Sequence, residues 1–144
     1  MPIANYTTKV PAGRSMTEIQ DMLVKHGAEA VLAEYEKGTG RIDGMSFKIS
    51  MNGKSLGFRL PIKWKEAQKV MLRQGFRRGA DDDVAYRVAW RILRDWVRAQ
   101  MALRELDMVQ IEEIFLPYAI TKSGQTIYEV TVENPSLLLG SGSS

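Results

Sequence analysis

Four arginines, Arg87, Arg91, Arg94 and Arg98, recur at helical spacing within the stretch RVAWRILRDWVR (87–98). At about 100° per residue they fall in a stripe roughly 60° wide that runs along roughly 16 Å of helix axis. A planar guanidinium grips a phosphate through two parallel N–H donors and stacks on a base, so the stripe is suited to following a nucleic-acid backbone. Trp90 borders it and would offer a ring for base stacking. Arg77 and Arg78 in the preceding loop, with Lys63, Lys65, Lys69 and Arg73 before them, would widen the cationic surface if the two helical segments lie side by side. A plainer account fits the same residues: the wet side of an amphipathic helix, neutralised locally by Asp83, Asp95 and Glu105.

Other chemistry finds little material. The single histidine, His26, stands beside Gly27 and reads as a helix cap, so neither H-E-x-x-H nor a Ser–His–Asp arrangement can be assembled. There is no cysteine, and no phosphate-binding loop of either glycine-rich type. Glu34, Glu36, Asp43, Glu112 and Glu113 could supply oxygen ligands for a divalent-metal nuclease, but the acid-x-Lys pair that many such enzymes place on a core strand does not occur. Asp81, Asp82 and Asp83 sit where the positive end of a helix dipole would be, which accounts for them without a metal. The expectation is a protein with no catalytic residues, no metal and no cofactor.

The 144 residues, 44% hydrophobic and 26% charged, suit one folded domain with a real core. Net charge is only +3, yet it is unevenly spread: twelve basic residues face five acidic ones in 59–104, and one faces six in 105–144. The acidic end could therefore pack near the basic helix and neutralise it. Absence of cysteine, of a basic-then-apolar leader and of an apolar run near 18 residues points to a reducing cytoplasm, without membrane or export.

Positioning these residues requires an α+β fold. NYTTKV (5–10) reads as a short edge strand. Ser15 opens a helix through an S-x-x-E capping box with Glu18, followed by Met16, Ile19, Met22 and Leu23 at helical spacing, and His26-Gly27 ends it. A strand over 30–36 follows. Met45, Phe47, Ile49 and Met51 then alternate with polar residues, and Asn52-Gly53 marks a type I′ hairpin returning through Leu56, Phe58, Leu60 and Ile62. A helix spans about Trp64 to Gln74, and a long one about Asp83 to Met108. The long helix is apolar on two sides. Its broad face carries Ala85, Val88, Ala89, Ile92, Trp96, Ala99, Leu103 and Leu106; a narrower strip carries Tyr86, Trp90, Val97 and Met101. Such a helix is central to its domain or contacts another subunit, and Trp90, Val97 and Met101 fit the seam of a homo-oligomer. IEEIFLPY (111–118) predicts a helical turn and AITKSGQTIYEV (119–130) a hairpin around Ser123-Gly124. The fold expected is a small antiparallel sheet of four or five strands packed by helices, with the long helix and a short hairpin closing a single domain over 1–133 and a flexible tail over 134–144.

The order of helix 15–27, three antiparallel strands and KWKEAQKVMLRQ (63–74) resembles the α-β-β-β-α plan of double-stranded-RNA-binding domains over about 60 residues. That resemblance implies phosphate contacts by Lys63, Lys65 and Lys69. Val70, Met71 and Leu72 stand where that family has small residues. Over its whole length the chain resembles small proteins encoded by phages and prophages, through NYTTKVP, EIQDMLVKHGA, FRLP, AWRILRDWVRAQMAL and FLPY. This implies a bacterial host cytoplasm and a setting of phage replication or counter-defence, and no particular activity.

Two functions are therefore expected in competition. One is a non-enzymatic phage-type protein that holds DNA or RNA on the arginine-lined helix. The other is an oligomeric interaction protein that inhibits a host defence enzyme or sequesters a nucleotide signal, its arginines facing an acidic or phosphorylated partner.

Overall fold

The computed structural model describes residues 5, 8–77, 81–138 and 140. Among them the order is α1 (Ala12–Lys25), β1 (Ala28–Tyr35), β2 (Ile42–Met51), β3 (Lys54–Pro61), α2 (Trp64–Arg73), α3 (Asp82–Glu105), α4 (Ile111–Phe115) and α5 (Ile127–Glu133), with short 3-10 turns at Leu116–Tyr118 and Pro135–Leu137. The class is α+β, and no helix among these residues is long and apolar enough to cross a membrane.

The sheet is an antiparallel meander in the order β1-β2-β3. Asn52 and Gly53, with φ of 51° and 79°, form the tight turn that sets the β2–β3 register, and this places Phe47 opposite Phe58. Their rings stack at 5.2 Å, and Phe115 of α4 closes on Phe47 edge-on at 5.0 Å. Met45, Phe47 and Ile49 are buried as their alternation requires, together with Phe58, Leu60 and Ile62 of the return.

Three strands form where four or five were expected. Residues 8–10 carry no strand, and Tyr6 and Thr7 lie outside the described residues. The expected terminal hairpin is reduced to one bridge between Ile120 and Thr126, after which the chain turns helical. Thr126 and Glu129 form a reciprocal capping box: the Thr126 hydroxyl accepts from Glu129 N, and Glu129 Oε1 accepts from Thr126 N. That local pairing outweighs the β-branched character of TIYEVTV. The opposite error occurs at α1. It begins three residues before Ser15, and Ser15 and Glu18 do not cap it.

Helix α3 packs along both α1 and α2. Asp81 starts it, its carboxylate accepting from Asp83 N at 2.9 Å. The narrow apolar strip turns out to be a deeply buried surface: Trp90 and Val97 are 0% exposed and Met101 2%. On the broad face Ala85, Val88 and Ala89 are buried, whereas Ala99 and Leu106 face solvent. Two apolar sides thus mark a helix central to its own domain, and the strip is not an open seam. Tyr86 ties α3 to the sheet, its hydroxyl donating to Ile42 O at 2.7 Å and accepting from Ile42 N at 2.8 Å. Arg41 lies over both Trp64 and Tyr86, 5.1 Å from each ring centre, and pairs with Asp83 at 2.9 Å.

Candidate nucleic-acid interface

The arginine ridge forms on α3 as its spacing requires, but it faces α1. Arg91 Nη1 and Arg94 Nε converge on a single carboxylate oxygen, Glu18 Oε2, at 2.9 and 2.5 Å. Arg94 Nη1 also donates to Asp95 Oδ1 at 3.2 Å, and Arg14 reaches the other Glu18 oxygen at 3.3 Å. The two ridge side chains retain only 16% and 15% of their exposure. Ser15 is fully buried in α1 and lets the helices approach, its hydroxyl 3.5 Å from Arg91 Nη1. Burial pushes the Glu18 carboxyl up, but the hydrogen bonds and charges of Arg94 and Arg91 outweigh it and hold the group below its ordinary value.

The centre of the ridge, Arg91 and Arg94, is therefore neutralised by Glu18 of α1, 73 and 76 residues earlier in the chain, and not by the acidic C-terminal part. Arg87 is half-buried, with its Nε enclosed and unpartnered among the described residues. Arg98 remains exposed. Trp90 has no accessible surface, so no base can stack on it. As a continuous stripe with a neighbouring stacking platform, the ridge is corrected to an interhelical clamp.

The cations before and along α2 are disposed differently. Lys63 precedes the helix, is exposed and makes no ion pair among the described residues. Lys65, Lys69 and Arg73 follow at four-residue steps, which places them along one edge of the helix over roughly 12 Å. Lys65 is 62% exposed and 3.5 Å from Glu36; Lys69 is 68% exposed and 3.2 Å from Glu66. Glu36 is only 20% exposed, whereas both partners of the Lys69–Glu66 pair are open to water, and a pair of that kind contributes little stability and exchanges readily for another anion. Arg73 and Arg77 are also exposed, and Arg78 lies outside the described residues.

No family model, curated protein or solved structure matches the chain. The site rests on its own geometry.

Among the described residues no three acidic or histidine side chains come together to hold a metal ion. Three of the five carboxylates considered for that role have other partners: Glu34 accepts from Ser46 and Arg59, Glu36 pairs with Lys65, and Glu113 closes the capping box of α4. The residue that sequence reasoning missed is Glu18. Its signal was present, because four arginines with few acids on their own helix require counter-charge from another element once the helix is central.

Proposed function

We propose that the chain is a non-enzymatic nucleic-acid-binding module of phage type whose backbone-holding surface is the edge of α2, with Lys63, Lys65, Lys69, Arg73 and Arg77, in place of the α3 ridge. The observation that carries this reading is the contrast in availability. The α2 cations are exposed, and Lys63, Arg73 and Arg77 make no ion pair among the described residues, so a phosphate can reach them directly; Arg91 and Arg94 are 16% and 15% exposed and already share Glu18. The phage or prophage setting comes from resemblance and fits a protein that handles nucleic acid in a bacterial cell.

Oligomeric assembly through Trp90, Val97 and Met101 finds no support, because those side chains are consumed inside the domain.

The test is fluorescence anisotropy with labelled single- and double-stranded DNA and RNA, begun near ~50 mM salt and repeated at rising ionic strength. Each neutralised phosphate contributes about 0.7–0.9 to the salt slope, so the triple variant Lys65→Ala, Lys69→Ala, Arg73→Ala should lower that slope by about two. Failure of every polymer to bind at low salt, or an unchanged slope in the triple variant, overturns the reading.

A further inference from the structure

A cavity of about 520 Å³ opens between the end of β3, α3 and the C-terminal segment, next to the start of α2. Its volume lies in the ~300–1,000 Å³ range of small-ligand sites. Leu93, Pro61 and Pro117 give it apolar walls, and two tyrosines, Tyr118 and Tyr128, supply ring faces. Tyr118 is fixed edge-on against Trp96 at 6.0 Å, while Tyr128 is 57% exposed and its hydroxyl has no partner among the described residues. A large aromatic side chain left in water at the mouth of a concave apolar site is suited to closing on a flat ring.

The charges around the cavity define the rest of the ligand. Lys63 lines it, exposed and without an ion pair among the described residues. Arg59 lines it too, already held by Glu34 at 3.3 Å and by the Gly124 carbonyl at 3.1 Å. Opposing them is Glu129, whose Oε1 is engaged by the Thr126 N–H. The hydrogen bond from the Thr126 backbone is the main reason that this carboxyl sits below its ordinary value. Arg59 and Lys63 also help to hold this carboxyl ionised, so Glu129 lies within the field of both cations: it accepts N–H donors from a base edge, and a phosphate is received by the Lys63 ammonium on the side away from it. Lys63 also lines the shallower hollow that runs onto Trp64 and Lys65, and so joins the cavity to the α2 edge.

We propose that this cavity receives one nucleotide, its base between Tyr128 and the apolar walls and its phosphate at Lys63. The nucleotide is either free or an unpaired position of a strand whose backbone continues along α2. The strand form rests on the α2 reading; the cavity's ligand chemistry does not.

The experiment uses the full chain and two probes, adenosine 5′-monophosphate followed by ¹⁵N-amide NMR and a labelled single-stranded DNA oligomer followed by anisotropy. The monophosphate should shift amides of residues 126–129 and of Lys63. Tyr128→Ala should weaken it about tenfold while Tyr128→Phe restores it, and Lys63→Ala should weaken it by about tenfold. Tyr128 is exposed, so its loss leaves the fold intact. If Tyr128→Ala weakens the oligomer as well, the ligand is an unpaired nucleotide of a strand; if it leaves the oligomer unchanged, the ligand is a free nucleotide. The α2 triple variant separates the two proposals, since it should weaken the oligomer and leave the monophosphate untouched. Absence of any monophosphate-dependent shift at millimolar concentration, with oligomer binding indifferent to Tyr128→Ala, overturns the cavity proposal whatever the α2 variant does.

Discussion

Helices α2 and α3 both carry cations at three- and four-residue steps, Lys65, Lys69 and Arg73 on one and Arg87, Arg91, Arg94 and Arg98 on the other, and use them for opposite ends. On α3 Arg91 and Arg94 look inward, sharing one oxygen of Glu18, and hold α1 to the centre of the domain, while Arg98 stays exposed. On α2 the lysines themselves look outward, 62% and 68% exposed, although the Glu36 partner of Lys65 is largely covered. Charge pattern alone does not distinguish the two cases. What separates them is the position of the helix: α3 is covered on both flanks by α1 and α2, whereas α2 is covered on one. A basic stripe on a central helix needs an internal counter-ion, and the same stripe on a peripheral helix is free to meet an external one.

The contrast can be broken most forcefully at Trp90. Replacing this fully buried indole by alanine should cost about 3–5 kcal/mol in a denaturant melt. A variant of near-normal stability with weakened polymer binding would return Trp90 to the interface. Glu18→Ala comes next, with a loss of about 2 kcal/mol, since two guanidinium groups lose their shared acceptor. The same change should free Arg91 and Arg94 and raise polyanion affinity and its salt slope; a slope no different from the parent protein would mean that the ridge is already as available as the α2 edge.

The clamp also predicts a pH dependence. Glu18 has a folded value below its unfolded one, so it binds fewer protons in the native state. Its contribution is complete above the unfolded value and disappears as pH falls through the folded one. Thermal melts across the acid range should show this loss, and Glu18→Gln should flatten the dependence. The smallest effect belongs to Lys69→Ala, which should change stability by no more than about 0.5 kcal/mol because both partners in its pair are exposed. A loss several times larger would show that the α2 edge is structural as well.

Elements with strong periodicity and unambiguous punctuation were legible from the chain. The Asn52-Gly53 turn, the alternation of Met45, Phe47 and Ile49, and the span of α3 follow from backbone geometry and the burial of apolar side chains, which local residues encode. The C-terminal segment was not, because β-branched residues and the Thr126–Glu129 capping box point to different structures and only the completed contacts decide between them. At the interface, spacing placed the four arginines on one stripe but carried no information about which neighbour covers it. Ser15 and Glu18 were visible as a pair and misread as local capping, because a carboxylate that bonds to its own helix and one that reaches across to another share the same sequence signature. Trp90 admits two readings in the sequence, a stacking ring beside the arginines and a member of an apolar strip on a helix central to its domain or at a subunit seam; tertiary packing places it in the core.

The indole of Trp64 is buried, yet it lies beneath the Arg41 guanidinium and 5.6 Å from the Lys65 ammonium. Its emission is therefore sensitive to the field of a side chain that the proposed phosphate would draw away. Binding along α2 should register as a spectral shift in unlabelled protein, giving the molecule a built-in optical gauge of whether that edge is occupied.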